Sequence, residues 1–211
     1  MQKIVKYDTN KHRFRSLIED IFQTTDLEHL HSRKSYDVFE RFNDQTTVYH
    51  ETFYNSIHSG HKFIDMYEDF ISDFVLDTLG LTEVVYQKIP TFRCHLCKNK
   101  AVGEFHKDSD YNHPKSEINF FVPVTDAIDT STIWIETKPD KRDFRPINLK
   151  YGEIFIFNGG VYNHGNKLNE TGKTRVGFDF RVIRPSEYTE SDKTSLNVTR
   201  KFAIGGYYEK M

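Results

Sequence analysis

Two hydrophobic periods divide the chain. Apolar side chains recur at Phe14, Leu17, Ile18, Ile21 and Phe22, and the same three- and four-residue steps return at Phe63, Met66, Tyr67, Phe70, Ile71 and Phe74. Acidic residues fill the opposite positions, and Gly80 stands where a helix would end. Such steps lay one apolar stripe along a helix, so residues 1–80 are read as a mainly helical region whose stripes brace something else. His58-Ser59-Gly60-His61 falls between two helical stretches and reads as a turn with surface histidines rather than a ligand pair.

From Val84 onward the period shortens. Runs at 84–87, 91–96, 102–106, 117–124, 132–136, 153–157 and 174–183 are rich in β-branched and aromatic residues and are separated by Gly, Pro, Asn or Asp clusters. Regular short strands without intervening helices predict an antiparallel sandwich or barrel over residues 84–185, giving an α+β protein. Residues 186–211, rich in Ser, Thr, Lys and Glu, read as a C-terminal surface segment, with Phe202 and Gly205-Gly206-Tyr207-Tyr208 able to dock back. No internal repeat is visible, and 211 residues suit one domain with one core.

Within the strand-rich region lies a candidate metal site. His106 and Asp108 are separated by one residue, so an extended backbone points both side chains the same way and turns Lys107 outward. A third candidate ligand, His164, follows 164 − 106 = 58 residues later, about the length needed to cross a small antiparallel sandwich and return. Arg175 comes 175 − 164 = 11 residues further on, after a Gly/Asn-rich turn. Two imidazoles and a carboxylate bind one face of an octahedral ion and leave the other open, the donor set of non-haem iron(II) oxygenases.

Composition narrows the alternatives. A net charge of −2 gives no electrostatic case for nucleic acid or an anionic membrane surface. No run of eighteen apolar residues exists and the N-terminus lacks an apolar signal core, so a soluble cytoplasmic protein is expected. With 18 Phe and 12 Tyr, the core should be built from few, large side chains. Cys94 and Cys97 form Cys-His-Leu-Cys, but no second pair completes four zinc ligands, and the stretch is strand-like where a thioredoxin-type motif needs a helix. They are read as two reduced thiols.

The order His106-x-Asp108, His164, Arg175 resembles that of the iron(II)- and 2-oxoglutarate-dependent oxygenases, over roughly Ile89 to Pro185. Within that superfamily, Ile89-Pro-Thr-Phe-Arg93, Glu104-Phe-His-Lys-Asp-Ser-Asp-Tyr111 and Phe178-Asp-Phe-Arg-Val182 are similar to a branch associated with streptomycin-type aminoglycoside biosynthesis. The resemblance implies a double-stranded β-helix, a jelly-roll or cupin-like core, and iron(II) on His106, Asp108 and His164. It also implies 2-oxoglutarate with its far carboxylate on Arg175, dioxygen as oxidant, and decarboxylation to succinate. Many superfamily members have Arg-x-Ser where this chain has Arg175-Val176-Gly177, so Asn119 or Tyr111 is expected to supply the missing contact to the co-substrate. In related halogenases the carboxylate position is a small residue; Asp108 therefore favours hydroxylation, or desaturation, ring closure or epimerisation, over halogenation.

Arg93 and His95, Trp134 and Glu136, and Arg181 on the Arg175 side of the last strand are candidates to touch substrate. Such a wall of mixed charge suits a small polar metabolite, sugar-, cyclitol- or amino-acid-like. A cupin-like metalloenzyme without 2-oxoglutarate, or a non-catalytic binding barrel, would carry the same strands.

Overall fold

The computed structural model describes residues 1–33, 47–101, 104–195 and 200–211. The first element, β1 (Gln2–Lys6), is a strand in a region that the sequence predicts to be mainly helical bracing. The helices follow: α1 (Phe14–Phe22), α2 (Leu30–Arg33), α3 (Val48–His58) and α4 (Phe63–Phe70), which continues through a wide turn at Ile71–Val75 into α5 (Leu76–Leu79). Gly80 ends this run in the left-handed conformation, φ 63°, and the Leu81 N–H donates back to the Leu76 carbonyl. Nine further strands follow among the described residues: β2 (Val85–Gln87), β3 (Thr91–His95), β4 (Ile118–Pro123), β5 (Trp134–Ile135), β6 (Arg145–Pro146), β7 (Glu153–Phe157), β8 (His164–Gly165), β9 (Arg175–Ile183) and β10 (Tyr208–Lys210).

The strands form two antiparallel sheets among the described residues. The larger runs β1-β7-β4-β9-β2-β10, with β3 also paired to β9; the smaller runs β6-β5-β8. Strand β9 is central, and all nine of its residues are buried. Its two faces differ in chemistry. Val176, Phe178, Phe180 and Val182 share one core with Phe92, Phe120, Val122, Ile154 and Ile156 of neighbouring strands and with the helical stripes. Helix side chains meet this face ring to ring: Phe14 and Phe63 stand 4.8 and 5.3 Å from Phe178, Phe53 stacks on Phe92 at 4.4 Å, and Tyr67 meets Phe180 at 5.2 Å. These pairings account for the high aromatic content, since each buried ring contributes about 1.5–3 kcal/mol.

The other face of β9 carries Arg175, Gly177, Asp179 and Arg181. Their register partners on that face are His95, Arg93 and Thr91 of β3 and Pro123, Phe121 and Asn119 of β4. Phe121, Phe155 and Phe157 of this face form a second, smaller core with Ala127, Ile133, Ile135, Ile147 and Leu149 around the small sheet. The large sheet is thus apolar towards the helices, and towards the small sheet it is charged along β9 and aromatic along β7.

Two expectations change. Residues 102–103 lie outside the described residues, and Glu104–Lys107 form no strand; only His106 pairs, through an isolated bridge to His164. The segment 186–211 is more than a surface tail, because β10 closes the edge of the large sheet and Phe202, Tyr207 and Tyr208 form a third core with Val85 and Ile183. Tyr208 is fully buried, and its hydroxyl donates to Glu117 Oε1 at 2.5 Å. Tyr208→Ala should therefore cost about 3–5 kcal/mol, and Tyr208→Phe, which leaves a buried carboxylate without that donor, about 1–3 kcal/mol. Urea unfolding curves would measure both; losses under 0.5 kcal/mol in the two variants would show that the tail adds nothing to the core.

Candidate metal centre

The two histidines meet through their backbones. The His106 N–H donates to the His164 carbonyl at 3.0 Å and the His164 N–H returns the bond at 2.9 Å. This is a hydrogen-bonded antiparallel pair, whose side chains leave the same face as neighbours. The ring centroids are 4.8 Å apart. Asp108 joins because Lys107 keeps an extended backbone, φ −101° and ψ 141°, before the chain tightens into a single 3₁₀ turn over Asp108–Tyr111. Lys107 points away, 2.6 Å from Asp140.

Each imidazole is oriented by its own loop. His106 Nδ1 lies 2.8 Å from the Glu104 carbonyl oxygen, and His164 Nδ1 lies 3.0 Å from that of Tyr162. A carbonyl can only accept, so both Nδ1 atoms carry the proton and both Nε2 atoms present a lone pair. Those lone pairs face one oxygen: Asp108 Oδ1 is 3.6 Å from His106 Nε2 and 3.5 Å from His164 Nε2. The ligand atoms of the three side chains all lie within 4.8 Å of one another, the one such group of His, Cys, Asp and Glu among the described residues. Two neutral imidazoles and a carboxylate, with both rings anchored from behind, fit a divalent ion such as iron(II).

The second oxygen of Asp108 is held separately. Oδ2 accepts from Asn119 Nδ2 at 2.7 Å and from Arg181, whose Nε and Nη2 are each 3.2 Å away. Burial opposes ionisation of this carboxyl, but the Arg181 charge beside it outweighs burial and holds Asp108 well below the usual carboxylate range. Gly159 completes the cradle: its N–H donates to Asn119 Oδ1 at 2.9 Å and its carbonyl accepts from the Asp108 N–H at 2.8 Å. A β-carbon here would lie 2.7 Å from Asn119 Nδ2 and 2.8 Å from Asp108 Oδ2, so only glycine fits.

Arg175 is 2% exposed. Its Nε donates to the Ser131 carbonyl at 2.9 Å, its Nη2 donates to Asn166 Oδ1 at 3.2 Å, and its guanidinium lies 5.1 Å above the Phe121 ring. The residues expected to assist it stand elsewhere: Asn119 grips Asp108, and the Tyr111 ring packs edge-on to His106 at 5.0 Å. Asn166, two positions after the candidate ligand His164, is a side chain that does accept from Arg175.

Most of the residues expected along a substrate wall are bonded to other groups of the protein. Arg93 pairs with Asp179, which also takes Arg181 Nη1 at 3.1 Å. His95 is buried between the carbonyls of Asn99 and Ser131. Glu136 is fully buried and accepts from the Asn163 and Arg142 N–H groups at 2.7 and 3.1 Å, fastening the turn that delivers His164. Trp134 is part-exposed, with Lys167 Nζ 3.3 Å over its ring. Of the aromatic residues around the ligands, Phe157 stands edge-on to His164 at 5.1 Å and stacks on Phe155, whereas Phe105 pairs with Phe144. Cys94 and Cys97 are buried thiols.

Solved proteins share this arrangement of antiparallel sheets and bracing helices. CytC3, solved with Fe(II) and alpha-ketoglutarate, superposes over 94% of this chain and 81% of its own with a TM-score of 0.52 at 14% identity. AviO1 from Streptomyces viridochromogenes Tue57 does so over 89% and 91% with a TM-score of 0.50 at 11% identity. No model of a protein family matches the sequence. The streptomycin biosynthesis protein StrG of Streptomyces griseus is 34% identical over 207 residues, covering 97% of this chain and 96% of that protein. The chain belongs to the StrG family.

The buried histidines set a pH window. Burial, then the Arg175 charge, pushes His95 down to about 3 from the ordinary 6.5; burial, then the charges of Arg93 and Arg175, does the same to His50. The unfolded chain therefore takes up these protons first on acidification, so their stabilisation is complete above about pH 6.5 and drains as the pH falls towards 3. The metal-free protein should lose melting temperature steadily between about pH 6.5 and 4.5, above the range where carboxylates titrate. A His50→Gln variant should show a shallower slope by calorimetry; a flat profile in the parent protein would contradict this.

Proposed function

We propose that this protein is a non-haem iron(II)- and 2-oxoglutarate-dependent dioxygenase that oxidises, by hydroxylation, a small polar metabolite. The observation that carries the proposal is the convergence of His106 Nε2, His164 Nε2 and Asp108 Oδ1 with both Nδ1 protons already committed to backbone carbonyls. On this reading the two antiparallel sheets are the halves of a double-stranded β-helix, and the metal lies between them at one mouth.

Iron(II), 2-oxoglutarate and dioxygen supply the oxidising chemistry when bound, with succinate and carbon dioxide leaving from the oxo-acid; the protein supplies position and dryness. Arg175 is the cation for the far carboxylate of the co-substrate. It is buried, pre-oriented by Ser131 and Asn166, and set over the Phe121 ring, so its charge acts in a medium that screens weakly. With Asn166 Oδ1 accepting from Arg175, the Asn166 amide N–H₂ remains to donate to that carboxylate, the contact that Arg-x-Ser provides elsewhere. Phe157 beside His164 keeps water from one side of the ligand set.

StrG takes part in streptomycin biosynthesis by its name, which supports a hydroxyl-rich or amino-bearing metabolite as substrate.

Aerobic succinate release with iron(II), 2-oxoglutarate and a panel of sugar-, cyclitol- and amino-acid-like compounds tests this. At least one member should stimulate turnover, His164→Ala should abolish it, and Arg175→Met should weaken 2-oxoglutarate binding at least tenfold while metal binding persists, with Arg175→Lys between. Metal binding with no keto-acid dependence would favour a cupin-like enzyme of another kind. Turnover driven by a fatty acyl chain or a nucleic acid base would overturn the substrate class.

A further inference from the structure

The three nitrogens of Arg181 are divided between two carboxylates. Nε and Nη2 converge on Asp108 Oδ2, each at 3.2 Å, while Nη1 reaches Asp179 Oδ2 at 3.1 Å, with Gln87 Oε1 at 3.4 Å and the Tyr207 hydroxyl at 3.5 Å. Asp179 is in turn clamped by Arg93 from the adjacent strand. The result is a file of alternating charge, half-buried Arg93 and then buried Asp179, Arg181 and Asp108, along one face of β3 and β9 and ending on a candidate metal ligand. Glu117 lies beside it, 3.8 Å from Arg181 Nε and tied to His113 and Tyr208.

We infer that Arg181 is a positioning residue for the metal centre: it pins Asp108 Oδ2 so that the carboxylate would offer Oδ1 alone to an ion held with His106 and His164. This rests on the metal site proposed above but not on 2-oxoglutarate. Two physical effects oppose each other here. A guanidinium near a divalent cation repels it, which by itself would make Arg181 a hindrance to metal binding. Orienting the ligand works the other way, since outer partners of metal ligands typically support affinity by roughly 10–100-fold. The two-pronged grip on one oxygen, with Asn119 on the same atom and the Asp108 N–H held by the Gly159 carbonyl, decides for orientation. Lysine would keep the charge and lose the fork.

The sign of the change in metal affinity therefore discriminates. Cobalt(II) titrated anaerobically into the metal-free full chain, followed by its visible spectrum and by calorimetry, should give one site in the wild type that His164→Ala removes. Arg181→Lys should bind cobalt(II) about tenfold more weakly and with an altered spectrum, although its metal-free melting temperature stays close to wild type. Arg181→Met should bind more weakly still, and if it fails to fold the lysine variant carries the test. Unchanged or tighter binding in Arg181→Lys would overturn the inference and leave Arg181 as a counter-ion for buried carboxylates. A wild-type protein that binds no cobalt(II) would overturn the metal centre and this role together, whereas tight cobalt(II) binding without keto-acid turnover would overturn only the dioxygenase reading.

Discussion

The centre depends on a two-bond exchange between the backbones of His106 and His164. Neither residue sits in a long strand: β8 is two residues, and His106 is a lone bridge position. Pairing nevertheless fixes their separation and the face they share, and the Nδ1 bonds to Glu104 and Tyr162 then fix the rotation of each ring. Glu136 secures the turn before His164, and Gly165 lets the chain pass close by, since a β-carbon there would lie 3.0 Å from the Glu104 carbonyl oxygen. Much of the local structure serves to hold two short pieces of chain side by side.

A second constraint is the division of the large sheet into two buried faces of opposite chemistry. The helix-covered face is a stack of rings and aliphatic groups, and it carries the stability. The inner face buries Arg175 and Arg181 with Asp108, Glu117 and Asp179, and half-buries Arg93. Removing one partner from such a set strands a buried charge at a cost of about 3–5 kcal/mol, whereas an apolar replacement of the whole set is often neutral. The network is therefore better explained by what it orients than by what it stabilises. Its members converge on Asp108 and on the ground between the sheets, while the helices and the returning tail supply the rigid frame that such orientation needs.

Period and spacing made the frame legible. The stripes over Phe14–Phe22 and from Phe63 onward emerge as helices ending where Gly80 stands, and the runs at 84–87, 91–96, 117–124, 153–157 and 174–183 each contain an observed strand. Alternation placed Arg93 with His95 and Arg181 with Arg175, as the register shows. Less legible was whatever depends on long-range pairing. Strand β1 is short with a half-exposed Ile4, β10 is three residues of an otherwise polar tail, and His106 pairs as a single residue. None leaves a periodic trace. Asp179 was within reach, because it lies on the polar side of β9 between Arg175 and Arg181. Glu117, Gly159 and Asn166 gain their meaning only from partners brought close by the fold, Tyr208 at 91 residues from Glu117, Asn119 at 40 from Gly159 and Arg175 at 9 from Asn166.

The central claim is that one divalent ion binds through two Nε2 atoms and Asp108 Oδ1. The direct measurement is an anaerobic crystal structure with iron(II), read by anomalous scattering at the iron edge. The account predicts a single peak about 2.0–2.2 Å from His106 Nε2, His164 Nε2 and Asp108 Oδ1, with Arg181 and Asn119 still on Oδ2. A peak ligated through an Nδ1 atom or elsewhere in the chain, or no peak between these three side chains, would contradict it.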